Sequence, residues 1–400
     1  MPQTPGFASI CVRDPNHHET TRPHQLPLYA TSSFVMDSID DAMEIFRKEK
    51  PGHVYSRYGN PTIETVADKI TRLETHGLDM KAHGYLFSSG MSAIATLMMA
   101  CLKQGDKILT QGNLYGGTTE LFLKVLQPLG IQAQFTDLKE LNKVENILAN
   151  DPAFKMIYFE TPANPTLACV DMQALSDLAH RYDCYAAVDN TFCTPALQQP
   201  FAFGLDFIVH STTKFLNGHG NSIAGILMGR DIELMKGRIW EVLKLAGTNC
   251  NPWDAWLTNN GLKTLDLRME RHSQNAAALA EFLEKHPAVE WVNYVGLPSH
   301  PDHALALRQM KNFGGMLSFA LGGGLEAGLQ FMRKLQFCTL APTLGDVDTL
   351  VLHPASSSHL NVDRAVREQN GITDGLVRLS VGIETLEDIQ EDLARALEGL

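Results

Sequence analysis

Tyr185-Ala186-Ala187-Val188-Asp189-Asn190, and then His210-Ser211-Thr212-Thr213-Lys214-Phe215-Leu216-Asn217-Gly218-His219-Gly220, are the stretches that decide the fold. The first is a short apolar run that ends in an acid. The second sets a lysine among small hydroxyl residues, 25 positions after that acid. A brief apolar run of this kind reads as a strand buried on both faces, with the polar residues just beyond its end. Working outward, 207–209 and 225–228 continue as strands, and 107–110 and 156–159 precede them. Residues 91–102 and 171–182 read as helices, and Ile63, Val66, Ala67, Ile70 and Leu73 share one helical face. Strands alternating with helices predict an α/β protein with a mainly parallel sheet covered on both faces. Ligands of such sheets bind past the carboxyl ends of the strands, where Gly90, Glu160, Asp189 and Ser211 all fall.

The flanks differ. Residues 231–285 look largely helical, interrupted at Pro252 and Gly261. Beyond Ala288 the alternation restarts, with strands at 289–295, 316–321 and 376–381 and helices near 304–310, 326–335 and 384–397. That predicts a second, smaller α/β domain. Residues 1–60 lack periodicity yet hold Leu28, Tyr29, Phe34, Val35 and Phe46, which favour burial. They read as an arm packed on a neighbouring subunit. The expected divisions are 1–60 (arm), 61–250 (large domain) and 251–400 (small domain).

Hydrophobic content of 44% and charged content of 20% are those of an ordinary globular protein. A net charge of -12 argues against nucleic-acid binding, which favours a basic face. The seven cysteines form no CxxC pair and are odd in number, which predicts reduced thiols. There is no basic-then-apolar start and no apolar run long enough for a bilayer, so a cytoplasmic protein without membrane contact is expected. His17, His18 and His24 lack acidic or thiol partners at ligand spacing, so no metal is expected. Gly322-Gly323-Gly324-Leu325-Glu326-Ala327-Gly328 superficially resembles a dinucleotide loop, but it lacks the acid that such a loop needs and reads as a turn.

Lys214 and Asp189 together suit pyridoxal phosphate (PLP). The lysine can form a Schiff base, the hydroxyls can hold the phosphate, and the acid can keep the ring nitrogen protonated. Ser88-Ser89-Gly90-Met91-Ser92-Ala93 opens a helix, whose free amides and dipole favour phosphate. Tyr55-Ser56-Arg57-Tyr58 offers a forked donor set. In Leu114-Tyr115-Gly116-Gly117 the phenol can stack on the cofactor and relay protons, and in Glu160-Thr161-Pro162-Ala163-Asn164-Pro165 the prolines present Asn164. Arg378, alone in the apolar run 376–381, needs a partner, and an α-carboxylate would serve. A plain helix cap, turn or surface charge explains each of these motifs taken singly. The ordered set is much harder to explain that way.

With these residues in place, the chain resembles the Cys/Met-metabolism (trans-sulfuration) family of PLP-dependent enzymes. This family includes cystathionine γ-synthase and γ-lyase, methionine γ-lyase and the O-acylhomoserine sulfhydrylases. The resemblance runs from Tyr55 to Val381-Gly382-Ile383-Glu384. It implies fold type I, a small-molecule amino-acid substrate, and a homotetramer (a dimer of dimers) whose active sites are shared between subunits. Carried over by position, Lys214 and Tyr115 would be catalytic. Tyr55, Arg57, Gly90, Met91, Tyr115, Asp189, Ser211 and Thr213 would bind the cofactor, with Tyr55 and Arg57 reaching it from the neighbour. Asn164, Thr343 and Arg378 would orient the substrate. Within the family, methionine γ-lyases usually place cysteine where Gly117 stands and a Lys-Asp pair where Leu243-Lys244 stands. Cystathionine-handling lyases tend to place glutamate where Pro342 stands. The run from Asp189 to Pro200 looks most like the O-succinylhomoserine sulfhydrylases. The expectation is therefore γ-replacement, in which an O-acylhomoserine and sulfide or a thiol give homocysteine or a thioether. The alternative is γ-elimination to 2-oxobutanoate and ammonia.

Overall fold

The computed structural model describes residues 5–14, 23–360 and 362–400. Its larger sheet has seven strands: β1 (His83–Phe87), β2 (Lys107–Thr110), β3 (Gln132–Phe135), β4 (Phe154–Glu160), β5 (Tyr185–Asp189), β6 (Phe207–His210) and β7 (Gly225–Gly229). They lie in the order β1-β7-β6-β5-β4-β2-β3. The pairs from β3 through β6 are parallel, as the apolar runs predict, whereas β7 runs antiparallel to both of its neighbours. Period-two alternation feeds two cores. Ile157, Phe159, Ala186, Val188 and Ile208 face one layer of helices, and Met156, Tyr158, Ala187, Phe207 and Val209 face the other. With both faces covered, polar chemistry is confined to the strand ends.

A second sheet of five strands follows, in the order β10-β11-β12-β9-β8. Its members are β8 (Val289–Asn293), β9 (Met316–Leu321), β10 (Thr339–Leu340), β11 (Leu350–Leu352) and β12 (Leu376–Ser380). The sheets are joined by the helices Pro252–Leu262 and Leu265–Glu284. Gly261 does not break the first of these. A Cβ there would sit 2.0 Å from the Asn217 carbonyl oxygen, so the position serves close packing against the segment after Lys214. The 322–328 loop is a turn from β9 into the helix Gly324–Lys334, with Gly323 and Gly324 both at positive φ.

Among the described residues of the first 60 are two short helices, Phe7–Val12 and Ile39–Phe46, the second capped by Ser38. The burial expected of the arm's apolar residues is only partly met within one chain. Leu28, Tyr29 and Phe34 are half-buried, but Val35 is 96% exposed and Phe46 63% exposed. His17 and His18 lie outside the described residues. The exposed His24 is within hydrogen-bond distance of Gln25. Among the described residues no helix is long and apolar enough to cross a membrane.

Candidate active site

The sheet gathers its polar strand ends on one rim. Asp189 ends β5, Glu160 ends β4, and Ser211 follows β6. The helix Gly90–Cys101 starts from the loop after β1. Together they line a cavity of about 280 Å³ with Met91, Tyr115, Asn164, Thr191, Thr213, Lys214, Pro342, Leu344 and Arg378.

Lys214 is half-buried, and its Nζ donates to Thr343 Oγ1 at 2.8 Å. Burial first, and then the Arg378 charge, push its pKa below the usual lysine value, while Asp346 opposes them. Such an amine is more readily neutral and nucleophilic than a surface lysine. Asp189 accepts from the Thr191 backbone N–H at 2.9 Å. Burial raises its pKa, and the Thr191 bonds and His210 pull the other way. Thr191, which the sequence reading passed over, also accepts from the Ser211 N–H at 2.8 Å and so ties the ends of β5 and β6 together.

The helix Gly90–Cys101 opens on a reciprocal capping box between Ser89 and Ser92. Gly90 and Met91, the first helical residues, keep amides with no intrahelical acceptor. The cradle is tight. A Cβ on Gly90 would lie 2.9 Å from Ser211 Cβ, and one on Gly225 would lie 2.4 Å from the Ser89 carbonyl oxygen. The Thr213 hydroxyl lies 3.1 Å from both the N–H and the carbonyl oxygen of Ala224.

Arg378 is buried in β12. Its two terminal nitrogens donate to Asn164 Oδ1 at 3.3 Å and to the Thr343 carbonyl at 2.7 Å, and among the described residues its Nε has no partner. Burial lowers its pKa to about 10. Glu384 is not its partner, because that carboxylate bonds Thr349. Asn164, Thr343 and Arg378, three loop or strand residues far apart in sequence, therefore form one cluster beside Lys214. Tyr115 lines the same cavity with its ring half-exposed, and its backbone N–H donates to Glu160 Oε1 at 2.8 Å.

Tyr55 and Arg57 are not among the residues lining this cavity. Arg57 lines a separate cavity of about 450 Å³, bonds the Lys244 carbonyl and sits over the rings of Tyr55 and Tyr58. No group of three or more His, Cys, Asp and Glu residues able to hold a metal occurs among the described residues.

The residues present suit PLP. A glycine-tight helix start offers amides to a phosphate, the half-buried Asp189 makes no salt bridge among the described residues, and a desolvated lysine and a half-free arginine face the same space. Comparison with known proteins agrees. Residues 8–398 match the family described as Cys/Met metabolism PLP-dependent enzyme. The chain is 44% identical to an L-methionine gamma-lyase of Fusobacterium nucleatum over 374 residues, covering 93% of each chain. It is 41% identical to an O-succinylhomoserine sulfhydrylase of Pseudomonas aeruginosa, covering 99% of this chain and 96% of the relative. The solved structure of a cystathionine gamma synthase from Xanthomonas oryzae pv. oryzae, in complex with aminoacrylate and cysteine, superposes with a TM-score of 0.91. It is 36% identical and covers 99% of this chain and 98% of that one. The strand-end lysine and acid are thus set in a fold matched along almost its whole length, and the chain belongs to the Cys/Met-metabolism family of PLP-dependent enzymes.

Proposed function

We propose that the enzyme performs γ-replacement. The Cγ–O bond of an O-acylhomoserine breaks, a Cγ–S bond forms with sulfide or a small thiol, and the acyl group leaves as a carboxylate. The observation that carries this reading is the outer wall of the Lys214 cavity. It includes Ile223, Pro342 and Leu344, and among the described residues that line the cavity the only carboxylates are Glu160 and Asp189 at the strand ends. Such a wall offers no acid to a second ammonium group, as a cystathionine-type substrate would need. Gly117 adds to it. A Cβ there would come within 2.6 Å of the Tyr115 ring, so a cysteine at this position would displace the phenol.

When bound, PLP supplies an electron sink for the charge left on carbon as protons are removed. In this reading the amides of Gly90 and Met91, with Ser211 and Thr213, would hold its phosphate, and Asp189 would keep its ring nitrogen protonated. Tyr115 would stack over the ring. Arg378 receives the substrate α-carboxylate through its free Nε–H, with Asn164 and Thr343 setting its plane. Lys214 moves the α- and β-protons, its pKa brought toward working pH by burial.

The second reading is γ-elimination from methionine, favoured by the 44% identity to an L-methionine gamma-lyase. We further propose a homotetramer in which Tyr55 and Arg57 complete a neighbour's site. That neither lines the Lys214 cavity of its own chain supports this, as do the exposed Val35 and Phe46. The divisions 1–60, 61–250 and 251–400 are retained in this reading. Seven cysteines without a disulfide suit a reducing cytoplasm.

One panel tests the reaction. The enzyme is incubated with O-acetylhomoserine, O-succinylhomoserine, cystathionine or methionine, with and without sulfide, and homocysteine is measured against 2-oxobutanoate. Homocysteine should dominate from an O-acyl ester with sulfide present. Dominant keto acid under those conditions transfers the assignment to elimination.

A further inference from the structure

Glu160 and Asp189 end adjacent parallel strands and are paired in register. Side chains at paired positions of neighbouring strands project to the same face, and both residues line the Lys214 cavity. Glu160 is only 6% exposed. Among the described residues neither carboxylate has a salt-bridge partner within 4.0 Å. The ionisable groups around Glu160 come from every packed element. Asp189 lies beside it on β5, Tyr158 stands two residues earlier on β4, and Tyr115 lies at the start of the helix Gly116–Glu120. Lys214 and Arg378 line the same cavity, and His210 ends β6 with its ring bonded to Glu74 at 2.6 Å. Both cations are engaged elsewhere, Lys214 with Thr343, and Arg378 with Thr343 and Asn164. Two adjacent carboxylates, one buried and the other half-buried, do not both ionise without a penalty.

We infer that Glu160 is a proton-holding positioning residue of this site. It stays neutral while Asp189 carries the negative charge, and it anchors Tyr115 through that residue's backbone N–H. The inference rests on the reading that Asp189 faces the cofactor's ring nitrogen. Assigning the proton to Glu160 follows from the partners of the pair. Asp189 has the Thr191 bonds and the nearby His210 to favour its charge. Glu160 has two backbone amides, those of Tyr115 and Asn164, and these are outweighed by burial and by Asp189 itself, which push it up to about 8. A single negative charge then faces the protonated ring nitrogen. Ionising Glu160 adds a second negative charge to the cavity that Tyr115 also lines, and proton transfer in that cavity is altered on the alkaline side.

The test uses the full-length enzyme with cofactor bound. Infrared difference spectra are recorded across neutral to alkaline pH for wild type, for wild type carrying ¹³C-labelled glutamate, and for Glu160→Gln. Wild type should lose a protonated-carboxyl C=O band as pH rises from neutral into the alkaline range. The band should shift with the glutamate label and be missing from the variant, which keeps an oxygen to accept the Tyr115 N–H. The matching alkaline step in the pH profile of kcat should vanish in Glu160→Gln, while its visible cofactor absorbance persists. A band that persists in the variant, no label-sensitive band in wild type, or an unchanged pH profile overturns the inference. Should the variant fail to fold, the label alone decides. Wild type that binds no PLP at all would instead refute the functional reading beneath it.

Discussion

Arg378 shows how a single residue can be costly alone and useful in context. A guanidinium in the middle of a buried strand is tolerated because two of its nitrogens bond Asn164 and Thr343. Its third nitrogen is left for a ligand. Lysine at this position keeps the charge and loses the fork. Arg378→Lys should therefore raise KM for the amino acid by about 10- to 150-fold, the range expected for a lost charge-assisted hydrogen bond of about 1.5–3 kcal/mol. Steady-state kinetics against the preferred substrate check this, and a KM near wild type would place the α-carboxylate elsewhere. Lys214 follows the same logic with the opposite outcome. Burial and Arg378 favour its neutral form, which is the form that attacks an aldehyde.

Between elements, the decisive contact is the helix Gly90–Cys101 against the loops at the ends of β6 and β7. The two glycines at that contact have different neighbours. A methyl on Gly90 would meet the Ser211 side chain and Cα, whereas one on Gly225 would meet the Ser89 backbone carbonyl and carbon. Gly90→Ala should fold and weaken PLP binding by about one order of magnitude or more, read as the cofactor's Kd by absorbance titration. Gly225→Ala should lower stability by about 1–3 kcal/mol, because backbone cannot rotate aside. Thermal unfolding of the two variants without cofactor separates these effects. Equal loss of stability in both would show that the Gly90 contact is packing only. The antiparallel β7 belongs to this contact too, because its first residue abuts the helix start.

For the whole molecule, one chain brings ten of the predicted site residues together and leaves Tyr55 and Arg57 apart. The proposed shared site predicts complementation. Tyr55→Phe and Lys214→Ala enzymes, each weakly active or inactive, should regain activity when their subunits are mixed and reassembled. Some mixed sites would then hold an intact Lys214 and a neighbour's intact Tyr55. Activity that never exceeds that of the separate variants would confine Tyr55 to its own chain. The exposed Val35 and Phe46 on the arm are the surface expected to be covered on assembly.

By itself the sequence determined the parallel sheet, since its central strands are continuous apolar runs that tolerate no solvent face, and it determined the lysine, the acid and the helix start at the strand ends. It was silent on β3, whose Gln132-Ala133-Gln134-Phe135 carries the polar residues of an edge strand, and on the brief β10 and β11. Only the tertiary structure decided which distant residues share a space. Thr343 meets Lys214 and Arg378 because the second sheet docks on the first rim, and no local pattern encodes that docking. The same holds for Glu160. Its acid is visible in the sequence, but its proton depends on register with Asp189 and on exclusion from water, and both arise only when the strands are laid side by side.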